Sequence, residues 1–152
     1  YFMRAEELSP DNLSVNLNIG HCHLEQNNYD EALKYYFKVD FLDTKGSKAR
    51  RPIAWCSFLA GKIDQAARYY QKIIDDSPTP LDFINAGHVA LAQHQMQHAI
   101  SLYVRSIKSD NNNIENFTTN FTQDIPDLIK ANINPNDIAI IYDQVIYRCN
   151  HT

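Results

Sequence analysis

Three windows of this sequence are copies of one another, and their spacing is the tightest constraint on how it folds. They read IGHCHLEQNNYDEALKYYFKV from Ile19, IAWCSFLAGKIDQAARYYQKI from Ile53 and AGHVALAQHQMQHAISLYVRS from Ala86. A small residue near each start falls at Gly20, Ala54 and Gly87, so the steps are 34 and 33 positions. Ala32, Ala66 and Ala99 keep those steps, as do Tyr36, Tyr70 and Tyr103. A period of this length marks one supersecondary unit used repeatedly, each copy too small to bury its own apolar face and therefore stacked on the next.

The apolar spacing inside each window is that of two helices joined by a short turn. In an antiparallel pair, Gly20, Ala54 and Gly87 face Ala32, Ala66 and Ala99, which lets two backbones approach closely. Larger side chains there overpack the contact, at about 1–3 kcal/mol each. Tyr36, Tyr70 and Tyr103 then fill the wider gap against the first helix of the following unit. The first unit spans 12–46 (helices near 12–26 and 30–43), the second 47–79, and the third 80–111 (helices Leu81–Gln93 and Gln97–Ser109). Gly61 breaks the first helix of the second unit. Asp30 and Asp64 are expected to cap the second helices of their units, accepting from first-turn amides. Pro52, two residues after Arg50, predicts an irregular first turn in the second unit.

The ends read differently. YFMRAEELSPDN matches the close of a unit, with Phe2, Ala5 and then Pro10, so residues 1–11 are expected to be the second helix of a preceding unit. The chain thus reads as a piece of a longer array. Beyond 111 the small–aromatic signature stops, and 112–152 is expected to form capping helices. Asp124 before Ile125–Pro126 and Asn134 before Pro135 have the look of helix starts, because proline is tolerated in a first turn. Ile138, Ile141, Tyr142 and Val145 form one stripe that either covers the exposed face of the third unit, or docks another subunit or continues into further helices.

Composition removes several functions. A net charge of −4 with no basic run longer than Arg50–Arg51 lacks the concentrated positive face that nucleic acid or an anionic membrane needs. No apolar run approaches the ~20 residues that span a bilayer, so membrane insertion is not expected. Cys22, Cys56 and Cys149 are too few and too scattered for a disulfide framework. Cys22 and Cys56 occupy equivalent places that suit a small buried side chain. The sequence has no GxSxG, HExxH or glycine-rich phosphate loop, so it offers no catalytic residues and no cofactor. Asp75–Asp76 and Asp124–Asp127 sit at expected helix ends, where favourable interaction with the helix dipole explains them. His94 and His98 straddle a turn with no third ligand near, so no metal site is expected. The four Asn-X-Ser/Thr sequons, at Asn12, Asn116, Asn120 and Asn150, matter only on a secretory route.

Over residues 1–111 the sequence resembles the tetratricopeptide repeat family. The resemblance implies an all-α fold, a right-handed α-solenoid of stacked antiparallel helix pairs with about three units, a partial unit before them and capping helices after. It implies a non-catalytic scaffold whose first helices line a concave groove for a peptide or helix of a protein partner. The groove positions are Leu17, His21 and Leu24, then Lys48, Arg51, Trp55 and Phe58, then Ile84, His88 and Leu91. His21 and His88 stand there as equivalent, solvated wall residues. Trp55, the only tryptophan, shares a helix face with Arg51, Phe58 and Leu59; contact with a partner is the leading reading and packing between units the alternative. Family members that grip a chaperone's terminal carboxylate use lysines and asparagines at places that hold Leu17, His21, Arg51 and Trp55 here, so that activity is not expected. A secretion chaperone of three such repeats and a regulatory segment of a larger protein are the alternative readings. The expected setting is the cytoplasm, and self-association through the C-terminal helices is a further expectation.

Overall fold

The structure, a computed structural model, describes residues 12–151; the half-unit expected over 1–11 lies outside the described residues. The described residues form eight α-helices and no strand. In chain order they are α1 (Leu13–Glu25), α2 (Tyr29–Leu42), α3 (Arg50–Leu59), α4 (Ile63–Ile74), α5 (Pro80–Ala92), α6 (Met96–Ser109), α7 (Ile114–Lys130) and α8 (Pro135–Asn150). The chain divides into two compact units, Tyr1–Tyr69 and Tyr70–Thr152, with the boundary inside α4.

In the first unit α1 pairs with α2, and α3 packs on α2. The core there gathers Ala32, Leu33, Tyr36 and Val39 of α2 with Ala49, Ile53 and Cys56. In the second unit α5 pairs with α6, while α7 lies against both and α8 against α6 and α7.

The close pairing rests on the glycines, although the group that fills their space is not the expected alanine. A Cβ at Gly20 would lie 2.6 Å from Cε1 of Tyr36, and one at Gly87 2.7 Å from Cδ1 of Tyr103. Each glycine is therefore the seat of the aromatic ring from its own unit. The far side of the Tyr103 ring meets Phe117 and Phe121 of the following helix at centroid distances of 5.6 and 5.3 Å, as the repeat pattern anticipated.

The turns repeat as faithfully as the helices. Asn27, Gly61 and His94 all have positive φ, at 62°, 81° and 61°, and stand 34 and 33 positions apart. The next residue or the one after it returns a hydrogen bond to the helix it has just left: Asn28 N to His23 O, Lys62 N to Ser57 O and Gln95 N to Ala90 O, at 2.8–2.9 Å. This is the six-to-one bond of a Schellman ending, which satisfies carbonyls the helix leaves open.

Helix starts depart from expectation where a carboxylate was expected to cap. α2 begins at Tyr29 after Asn28 and α4 at Ile63, so Asp30 and Asp64 sit inside first turns. They favour those helices through the positive N-terminal end of the dipole instead, and Asp30 also meets Lys62 Nζ at 3.7 Å. Asn134 caps α8 as expected, accepting from Asn136 N, with Pro135 in the first turn. α3 is the short helix of the set, 10 residues against 13 for α1 and α5; no side chain caps it, and Pro52 lies inside its first turn. The helix start expected at Asp124 does not occur: α7 runs unbroken through Pro126. Proline there gives up a backbone bond, and buried Phe117, Phe121 and Leu128 on both sides hold the helix in register.

Cys56 is fully buried, its thiol donating to the Tyr29 carbonyl at 3.5 Å. Burial first, and the nearby Asp30 charge second, push that thiol up to about 11 from 9.0. Both states hold the proton below pH 9, whereas between 9 and 11 only the unfolded chain releases it. Stability therefore falls across that window, by about 1.4 kcal/mol per pH unit for this group. Urea unfolding between pH 9 and 10, below the range in which the buried tyrosines contribute, should show this decline, and Cys56→Ala should lessen it; an equal decline in the variant would refute the assignment.

Candidate functional site

The expected groove residues separate into three groups. His21, Lys48 and Arg51 are exposed. Trp55 is half-buried, stacked on Phe58 at 5.2 Å with 20° between the rings. Leu17 and Leu24 are half-buried and packed against the core of the first unit. Phe58, Ile84, His88 and Leu91 are 2%, 1%, 0% and 0% exposed, so these four belong to the interior and present no wall.

The reason lies in α5. Its sequence, PLDFINAGHVALA, is apolar nearly all round, with Asp82 its one charged residue, and a helix of that kind is enclosed rather than half-exposed. α6 covers one side of α5 and α7 lies against another. Asp82 itself is used in a capping box, accepting from Thr79 N at 2.8 Å while Thr79 Oγ1 accepts from Asp82 N.

His88, expected in solvent, is the buried junction of three helices. Its Nδ1 is 2.7 Å from the Tyr103 hydroxyl on α6, and its Nε2 is 3.0 Å from Asp124 Oδ2 on α7. A carboxylate oxygen only accepts, so Nε2 carries the proton; in the neutral ring Nδ1 then accepts from the phenol. Tyr103 suits the donor role, because burial holds its hydroxyl well above the usual phenol range.

His21 and Tyr36 form the same couple in the first unit. Nδ1 of His21 is 2.7 Å from the Tyr36 hydroxyl, whose proton is likewise held on by burial. The rings are 5.4 Å apart at 57°, against 5.6 Å and 60° for His88 and Tyr103. In the first unit, however, the histidine stays exposed.

The last two helices make a different feature. Thirty-four positions after Gly87 the register holds Phe121, fully buried, where a close pair needs a small residue. α7 and α8 consequently leave a cleft of about 350 Å³ between them, lined by Thr118, Phe121 and Ile125 on one side and Ile138, Ala139 and Tyr142 on the other. Thr118 and Tyr142 hydroxyls bridge it at 2.8 Å. Of the stripe, Ile138, Ile141 and Val145 are buried within this unit, and Tyr142 is half-buried at the cleft. Among the described residues no group of His, Cys, Asp and Glu is gathered to hold a metal ion, and no helix is long and apolar enough to cross a membrane.

Comparison with known proteins places these repeats. Residues 13–39 and residues 53–79 each match a family model described as tetratricopeptide repeat. Over 101 residues the chain is 27% identical to tetratricopeptide repeat protein 8 of Caenorhabditis elegans, an alignment covering 66% of this chain and 20% of the relative. The chain thus spans about a fifth of that protein's length. Repeats of this type are protein–protein interaction modules. The matched segments coincide with α1–α2 and with the stretch holding α3 and α4, so residues 13–39 and 53–79 are tetratricopeptide repeats by family model and by helix layout alike.

Proposed function

We propose that the chain is a non-catalytic interaction module whose recognition surface in the first unit is built from His21 of α1, Lys48 just before α3, and Arg51 and Trp55 of α3. This surface receives a peptide or helix of a protein partner. The observation that carries the reading is Trp55: on a helix whose Ile53, Ala54, Cys56, Ser57 and Phe58 are all buried, the indole keeps part of its surface in solvent. Arg51 lies four residues earlier, one turn along the same face. Tryptophan and arginine are the residue types most enriched among those that dominate binding energy. The apolar floor is smaller than the sequence suggested, so the partner contacts are more polar. The scattered, unpaired cysteines fit a reducing compartment, and the cytoplasm is the setting we assign.

The test is capture of binding proteins on immobilised chain, comparing the parent with an Arg51→Ala/Trp55→Ala double variant. Phe58 stays intact, because its burial would make its removal a folding defect. The double variant should lose ~2 kcal/mol or more of binding, roughly thirty-fold in affinity, while melting close to the parent temperature. Unchanged capture, or a large drop in melting temperature, would return Trp55 to the core.

A further inference from the structure

We infer that exposed His21, held by its buried partner Tyr36, is a docking point for one carboxylate side chain, an aspartate or glutamate of the partner. The inference rests on reading the first unit as a recognition surface, and it names what that surface takes. The chain itself supplies the template. The couple occurs twice with matching distances and ring angles, and in the second unit its outward nitrogen is already loaded with the Asp124 carboxylate.

Three parts are common to both copies. A glycine immediately before the histidine seats the tyrosine ring against the helix. Burial keeps the phenol protonated. The phenol then occupies Nδ1, which fixes the ring's orientation and turns Nε2 outward, the nitrogen that carries the proton when the phenol donates. The copies differ in what the following helix brings. Asp124 stands three residues after Phe121; the matching place on α3, three after Ala54, is Ser57. Ser57 has no carboxylate, and its hydroxyl accepts from Gln65 Nε2 at 2.8 Å.

His21 is thus the same ring, held in the same way, with no carboxylate brought to it among the described residues. Its ring is held by the Tyr36 hydroxyl before a ligand arrives, so little ordering cost remains to be met on binding. A hydrogen bond to an ionised acceptor is roughly twice as strong as a neutral one, which favours a carboxylate over an amide here.

The probes are two synthetic leucine-containing peptides identical except at one central residue, glutamate in one and glutamine in the other. Binding is followed by fluorescence anisotropy with the full chain, and the His21 imidazole by nitrogen NMR. The glutamate peptide should bind about five-fold tighter and should move the His21 Nε2 resonance. His21→Ala should remove the preference, so that the glutamate and glutamine peptides bind with equal affinity. Tyr36→Phe, which keeps the ring and its packing, should also weaken the preference. Ser57→Asp, supplying the missing carboxylate from within, should compete with the glutamate peptide. Equal binding of both peptides, with Trp55→Ala weakening both, would overturn the carboxylate site and leave the recognition surface standing. Indifference of both peptides to Trp55→Ala, or no binding by either, would overturn the surface and the site together.

Discussion

Gly87→Leu should unfold the second unit under conditions in which the parent is stable. The first carbon of the new side chain would already fall inside the contact distance of the Tyr103 ring. That ring has nowhere to go: it is fully buried, its hydroxyl is tied to His88, and its far side is held by Phe117 and Phe121. Overpacking of this kind costs about 1–3 kcal/mol. Displacing the phenol adds about 1–3 kcal/mol more, because His88 Nδ1 is left buried without its donor. Against a typical total of about 5–15 kcal/mol, the loss is a large share. Thermal and urea melts followed by circular dichroism give the value directly. Adding Tyr103→Ala to Gly87→Leu should recover part of the loss by opening the seat; a single variant that melted at the parent temperature would show the seat to be elsewhere.

Phe121→Ala should cost about 3–5 kcal/mol, the range for removing a buried aromatic ring. Phe121 touches Tyr103, Phe117, Tyr142 and His88 at centroid distances of 5.3 to 5.9 Å, so its loss empties the middle of one continuous aromatic cluster. Urea unfolding quantifies the cost, and the near-ultraviolet signal of the tyrosines should weaken with it. Ile140→Ala, on the exposed side of α8, is the matched control and should change stability by less than about 0.5 kcal/mol. Equal effects from the two variants would show that the cluster does not hold α7 in place.

The period was legible because each repeat keeps a small residue at one place (Gly20, Ala54, Gly87), which at the two glycines seats a tyrosine ring, and the same chain reversal at a left-handed residue. Gly61 announced its reversal; Asn27 and His94 did not, since neither residue type is confined to that conformation. The groove was less legible. Ile84, His88 and Leu91 were placed by analogy between first helices, yet α5 has no polar face to turn to solvent, and its even hydropathy was the signal for burial. Asp124 looked like a helix start because Pro126 follows it closely. Its actual role depends on a histidine 36 residues away, a pairing that no local pattern encodes. The missed Asp30 and Asp64 caps reflect a shift of one or two residues at helix ends, where several side chains compete to begin the first turn.

The buried imidazole of His88 also governs how the second unit comes apart. One side chain fastens α5, α6 and α7 at a single point, so none of the three can breathe alone without stranding a polar atom in the dry interior. Their amides should therefore share one cooperative opening, read as slow isotope exchange common to the three helices.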